Sequence, residues 1–197
     1  YQNLVNVLGA DHTGYIKRIT AAVSALSENK IKLNCKVCQL VKLFKNGKPF
    51  KMSKRAGDFI SAQELLNEVD KDPIRFMMLN RNNDVEIDFD FDKVKEKTKD
   101  NPVFYVQYAY ARINSLLRTL NISFVEKIEF DETNFNLNDM DEKIIRKVFE
   151  WPKIIESATK KFDLHKIPFY LYELSTLFHA YWSRGNEDKR YKFIENE

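Results

Sequence analysis

Leu4-Val5-Asn6-Val7-Leu8-Gly9-Ala10-Asp11-His12-Thr13-Gly14-Tyr15, with the segment it feeds, decides how this chain begins to fold. Leu4 to Leu8 is a short apolar run ending at Gly9, which reads as a strand. From Tyr15 to Leu26 the apolar residues fall at Ile16, Ile19, Ala22, Val23 and Leu26, the spacing of one helical face. A second strand is predicted over 36–44. Strand, helix, strand makes one βαβ unit of a parallel sheet, and such sheets take ligands beyond the carboxyl ends of their strands. The turn Gly9-Ala10-Asp11-His12 lies at such an end.

Further along, Asn46-Gly47 predicts a hairpin turn into the short arm Lys48-Pro49-Phe50, which delivers Lys51-Met52-Ser53-Lys54 and then Arg55-Ala56-Gly57. Two ammonium groups three residues apart flank a small hydroxyl. Lysine is a compact charge on a flexible stem and suits a polyphosphate whose charge moves during reaction. Gly57 supplies backbone freedom for a loop that closes and reopens. The plain alternative is a solvated basic turn in a chain with 31% charged residues.

With 197 residues, 44% of them hydrophobic, and only 5 Gly and 5 Pro, the chain is long enough for one large or two small domains and reads as helix-leaning and globular. A net charge of +3 gives no bulk argument for nucleic-acid binding, which would need a local patch. No apolar run approaches the roughly 20 residues of a membrane helix. Cys35 and Cys38 form a C-x-x-C, but there is no second cysteine pair and His12, His165 and His179 are scattered, so zinc is not expected. On a strand over 35–44 the two thiols would point to opposite faces, as free cysteines in a reducing compartment. Asp88-Phe89-Asp90-Phe91-Asp92 has a superficial likeness to a calcium loop, yet Lys93 and Lys99 stand where glycine and the bidentate glutamate are needed. The alternation from Asp84 to Asp92 is read instead as a half-buried extended segment.

The rest of the chain is predicted helical. Ser61-Ala62-Gln63-Glu64 is a capping box opening a helix through Val69, and Asp72-Pro73 starts another to about Asn80. Asp100-Asn101-Pro102 starts a long helix to about Leu120. Val103, Val106, Tyr110, Ile113, Leu117 and Leu120 form its expected packing stripe, with Tyr105, Tyr108 and Arg112 on the opposite side. Two tyrosines and an arginine facing outward suit base stacking and phosphate contact, and equally suit packing on a neighbouring domain. An irregular connection is read over 123–138. Helices follow near 139–163, kinked or divided at Pro152, and over 167–183, where Phe169, Tyr172, Leu174, Phe178, Tyr181 and Trp182 read as bundle core.

Three blocks in this order carry a family resemblance: Gly9 to Tyr15, Lys51 to Gly57, and Asp100 to Arg112 (Asp-Asn-Pro-Val-Phe-Tyr-Val-Gln-Tyr-Ala-Tyr-Ala-Arg). Together they resemble arginyl-tRNA synthetases of the bacterial, class I kind, over nearly the whole chain. The lysine signature is shared by several class I synthetases; the Arg55-Ala56-Gly57 continuation and the Asn101-Pro102 helix select the arginine enzyme.

The resemblance implies a mainly α protein with an α/β N-terminal portion. Residues 1–97 would be the C-terminal part of a Rossmann-like catalytic domain, and 98–197 a helical anticodon-binding bundle. It implies an arginine–tRNA ligase that uses ATP with accompanying Mg2+ and no protein-ligated metal, with L-arginine and tRNA(Arg) as partners. The protein is expected to be monomeric, cytoplasmic and free of membrane association. Lys54 would meet the pyrophosphate in the transition state, with Lys51, Met52 and Ser53 holding loop and phosphates. Gly9 and Asp11 would lie near ribose or arginine with His12 adjacent, unless His12 makes only a structural hydrogen bond. Tyr105, Tyr108 and Arg112 are the candidates for tRNA contact. The His-x-Gly-His element of class I sites does not occur in these residues. The chain therefore reads as a middle-to-late slice that should not activate arginine alone. A noncatalytic tRNA-binding module derived from a class I synthetase is the alternative.

Overall fold

The computed structural model describes residues 2–50, 60–123 and 137–194. The chain divides into two compact units, Tyr1–Lys95 and Glu96–Glu197.

In the first unit, β1 (Asn3–Gly9) pairs in parallel with β2 (Lys32–Cys38), Leu4 opposite Leu33 and Gly9 opposite Cys38. The crossover is a 3-10 turn at Ala10–Tyr15 followed by α1 (Ile16–Leu26), so the βαβ reading holds. The second strand differs from expectation. The segment 36–44 is divided at Gln39-Leu40 between β2 and β3 (Val41–Lys45), which lie in separate sheets. The cause is competition for the backbone at the break: Gln39 N–H donates to the Asn83 carbonyl at 2.9 Å and Ile87 N–H to the Leu40 carbonyl at 3.1 Å. The Asn83 carboxamide also donates to the Val37 carbonyl at 2.7 Å. Both cysteines, Cys35 and Cys38, are free thiols on β2.

β3 is the middle strand of the second sheet, antiparallel to β4 (Lys48–Phe50) and parallel to β5 (Ile87–Asp90). The hairpin turns as predicted, with Asn46 at φ 54° and Gly47 at φ 68°, the pair of left-handed residues a tight two-residue hairpin requires. The Asp84–Asp92 alternation is a strand only over Ile87–Asp90. The Asp90 carboxylate then accepts the N–H groups of Asp92 and Lys93 at 2.9 and 3.3 Å, which starts α4 (Phe91–Lys95). Here a residue expected only to wet one strand face acts as a cap.

The core of this unit is Leu43, Val69, Phe89, Phe91 and Val94. Phe89 and Phe91 meet edge to face at 5.5 Å, the arrangement favoured by their ring quadrupoles. α2 (Ala62–Glu68) opens on the full capping box, Ser61 accepting from Glu64 N–H and the Glu64 carboxylate accepting from Ser61 N–H. α3 (Lys71–Leu79) starts two residues before Pro73. That proline still lies in the first turn, where an N–H has no helical acceptor to lose.

In the second unit the Asn101 carboxamide accepts Val103 N–H at 3.1 Å and begins α5 (Pro102–Thr119). Asn138 and Asp141 form a second capping box at α6 (Asp139–Phe149). Pro152 divides the following stretch, so that α7 (Trp151–Lys161) is separate and ends at Phe162 with φ 56°. α8 (Lys166–Glu187) packs against α5, α6 and α7 and is followed by a 3-10 turn at Lys189–Tyr191. The aromatic stripe of α8 is partly corrected. Phe178 and Tyr181 are buried, Phe169 and Tyr172 are exposed, and Tyr170 is buried in their place. Tyr170 lies under Trp151 with ring centroids 5.1 Å apart, and its hydroxyl donates to the Lys147 carbonyl at 3.1 Å. No helix among the described residues is long and apolar enough to cross a membrane.

Candidate functional site

At the carboxyl end of β1, Gly9 lets the chain turn so that the Asp11 carboxylate folds back over it. A Cβ at Gly9 would lie 2.6 Å from Asp11 Oδ1. The Thr13 hydroxyl donates to the Ala10 carbonyl at 2.6 Å and holds the turn. His12 Nε2 lies 3.4 Å from the Asp11 carboxylate, with the side chains 55% and 71% exposed. The His12 ring is 5.8 Å from that of Tyr15, over which the Arg18 guanidinium sits at 5.3 Å. The result is an open shelf of one carboxylate, one imidazole and one guanidinium. An exposed pair of this kind contributes little to stability, so its residues are free to meet a ligand. Lys51, Met52, Ser53 and Lys54 lie outside the described residues, as does the Arg55-Ala56-Gly57 continuation. β4, the arm leading to them, ends at Phe50.

The second candidate cluster is on α5, and its orientation is a correction. The side carrying Tyr105, Tyr108 and Arg112 was expected to face away from the bundle, yet it meets α8. Tyr105 lies 4.4 Å from the His179 ring and 5.4 Å from Tyr172. Tyr108 stacks on Phe104 and on His179, at 5.7 and 5.4 Å. Arg112 lies over the rings of Tyr108 and Trp182, 4.1 and 4.8 Å from their centroids. Ala109 is buried; of the expected packing stripe, Val103 is buried too, whereas Tyr110 and Leu120 are 65% and 45% exposed. The physical reason is the partner: α8 presents rings here, and rings accept a guanidinium and tyrosines through stacking as well as burial. Tyr108 keeps 41% of its surface exposed.

His179, only 6% exposed, ties this seam together. Its Nε2 is 3.0 Å from the Tyr105 carbonyl and its Nδ1 is 3.1 Å from Arg112 Nη1. A carbonyl only accepts and a guanidinium only donates, so the network assigns the proton to Nε2 and leaves Nδ1 as acceptor. Burial pushes the imidazole below its ordinary pKa; the bond to the Tyr105 carbonyl opposes this, and the Arg112 charge reinforces it. Arg112 Nη2 also donates to the Tyr108 hydroxyl at 2.8 Å. A second network closes the α6 end: the Asn138 carboxamide donates to the Tyr181 hydroxyl, which donates to the Asp141 carboxylate, both at 2.7 Å. Sequence reasoning assigned no role to His179 or Asp141. Their only signal was a polar residue at a helix start or on an apolar helix face, which does not name its partner.

Residues 106–192, within the helical unit, match the family model of the DALR anticodon binding domain. Over all of its 197 residues the chain is 56% identical to an arginine–tRNA ligase of Pelagibacter ubique, spanning 34% of that protein. It is 46% identical to the arginine–tRNA ligase of Roseobacter denitrificans, spanning 35% of it. A solved structure from Campylobacter jejuni, described as an arginyl-tRNA synthetase, superposes with a TM-score of 0.80 at 30% identity, over 93% of this chain and 40% of that one. Thermus thermophilus arginyl-tRNA synthetase shares the fold, with a TM-score of 0.66 at 18% identity over 100% of this chain and 34% of that one. The helical unit is thus of the anticodon-binding kind found in aminoacyl-tRNA synthetases. Over its whole length the chain is similar to arginyl-tRNA synthetases, and it spans about a third of the length of the curated relatives it matches.

Proposed function

We propose that this chain serves an arginine–tRNA ligase, which activates L-arginine with ATP and passes the arginyl group to the 3′ end of tRNA(Arg). The observation that carries the proposal is the 56% identity to such a ligase, sustained over all 197 residues. Residues 1–97 are proposed as the nucleotide-binding part and 98–197 as the part that reads tRNA. Adenylation asks a protein for in-line placement of a carboxylate against the α-phosphate and for cations where charge gathers on the leaving pyrophosphate. Lys54 is assigned to that charge, with Lys51, Met52 and Ser53 holding the phosphates. Gly9, Asp11 and His12 are assigned to the adenosine or arginine side, where a carboxylate suits hydroxyl donors. Among the described residues no group of three or more His, Cys, Asp or Glu is placed to hold a metal ion. Mg2+ is proposed to arrive with ATP. For tRNA, Tyr108, 41% exposed, and Arg112 are the proposed contacts, with Tyr105 supporting them from the seam. The protein is proposed to act as a cytoplasmic monomer.

Two measurements test this. In the full-length ligase, Lys54→Ala is expected to slow arginine-dependent ATP–pyrophosphate exchange by roughly 100-fold or more while changing the KM for arginine by less than about threefold. An unchanged exchange rate removes Lys54 from the mechanism. The 197-residue chain by itself is expected to show no exchange; clear arginine-dependent exchange overturns the proposal that the activity needs the longer protein.

A further inference from the structure

The seam between α5 and α8 contains a titratable group whose two ring nitrogens have opposite duties. His179 Nε2–H must donate to the α5 backbone at Tyr105, and Nδ1 must stay unprotonated to receive Arg112. We propose that His179 is a pH-sensitive latch: as a neutral ring it joins the Tyr105 carbonyl to the Arg112 guanidinium, and a proton on Nδ1 releases Arg112 and loosens α5 from α8. The inference rests on the geometry of the seam and is independent of the proposed ligase function.

Apart from the Tyr105 carbonyl, which already receives Nε2–H, the surroundings offer a proton on Nδ1 no partner. The titratable or charged groups facing His179 from α5 are Arg112, Tyr105 and Tyr108, and from its own helix its ring neighbour is Phe178. Among the described residues no carboxylate makes an ion pair or hydrogen bond with either His179 or Arg112. The imidazolium would therefore face a guanidinium across 3.1 Å with no anion to balance the pair. Arg112, for its part, cannot lose its own proton, and it is held between two aromatic faces that tolerate one cation. The only relief is movement of Arg112 out of the seam. Burial, with the Arg112 charge, depresses the basicity of the ring by more than the bond to the Tyr105 carbonyl raises it. The folded-state pKa lies below the ordinary 6.5; the stabilisation is complete above 6.5 and is lost as pH falls from there through the folded-state value.

The test uses the intact chain. Its two tryptophans, Trp151 and Trp182, both belong to the second unit, so their fluorescence reports that unit's unfolding. Nitrogen-15 NMR of the imidazoles is expected to show the Nε2–H tautomer for His179 at pH 7.5 and a titration below 6.5. Between pH 7 and pH 5 the folding equilibrium constant read in urea should fall, and by more than in His179→Gln. His179→Gln keeps a donor and an acceptor but cannot titrate, and its change over the same range should stay under about twofold. His165→Gln, the control for the other histidine of this unit, should keep the parent's pH dependence. An Nδ1–H tautomer, a titration at or above 6.5, or a parent-like pH dependence in His179→Gln overturns the latch. If His179→Gln does not fold, the tautomer and titration of the parent chain decide the matter by themselves.

Discussion

The two units hold themselves together by different means. The first gathers its buried side chains into one dry cluster around Phe89 and Phe91, while β1 stays largely uncovered, Val5 at 47% and Val7 at 64% exposed. The second buries polar groups, Asn101, Ser175 and His179; Asn101 caps the start of α5, and His179 bonds to the facing α5. In the first, strength belongs to the β4–β3–β5 sheet and its helices. The β1–β2 sheet, which carries the Gly9–His12 shelf, draws little on that cluster. In the second, no buried side-chain N or O among the described residues lacks a partner, and the register of the helices follows from where those partners stand.

The sharpest way to break this contrast is to remove the centre of the dry cluster. Phe89, fully buried, is replaced by alanine at an expected cost of about 3–5 kcal/mol, a lost ring plus the cavity it leaves. Hydrogen exchange should then rise across β3 and β5 while the amides of α8 keep their protection. Loss of protection in both would show that the units do not stand separately.

A smaller effect is expected where the segment after α8 closes on the helix. A Cβ at Gly185 would lie 2.6 Å from the Tyr191 carbonyl oxygen. That segment brings Phe193 onto Phe178, Tyr181 and Trp182. Gly185→Ala should force the backbone away and destabilise the second unit by about 1–3 kcal/mol, read as a lower urea midpoint in tryptophan fluorescence. No change in midpoint would show that this closure contributes nothing.

The smallest is the loss of one cap in the first unit. Ser61→Ala removes the acceptor for Glu64 N–H and should cost about 1 kcal/mol, seen as faster exchange confined to α2. An effect reaching β5 would mean that α2 is more tightly coupled to the cluster than the contacts of Leu65 and Val69 suggest.

Much of this architecture was legible in the chain. The helix starts at Ser61, Asn101 and Pro152, the Asn46-Gly47 turn and the first βαβ crossover follow from residues whose backbone preferences act locally. The shelf at Gly9–His12 was legible for the same reason, since its shape depends on one glycine and its next few neighbours. What failed depended on distant partners. The strand over 36–44 was divided because Asn83 and Ile87 bond to it. The side of α5 carrying Tyr105 and Arg112 packs because His179 and Trp182 stand opposite, while Val103 of the expected stripe is buried as well.

By itself, then, the sequence determined most helix starts and caps, the Asn46-Gly47 turn, and the resemblance its motifs carry, because capping, turn chemistry and apolar periodicity are properties of a few adjacent residues. Only the tertiary structure decided which side of α5 is packed, which rings of α8 are core, and that a buried neutral histidine joins them. Those choices rest on hydrogen bonds and ring contacts between residues such as Tyr105 and His179, 74 positions apart. Each side chain is compatible with several partners until the fold places one within reach.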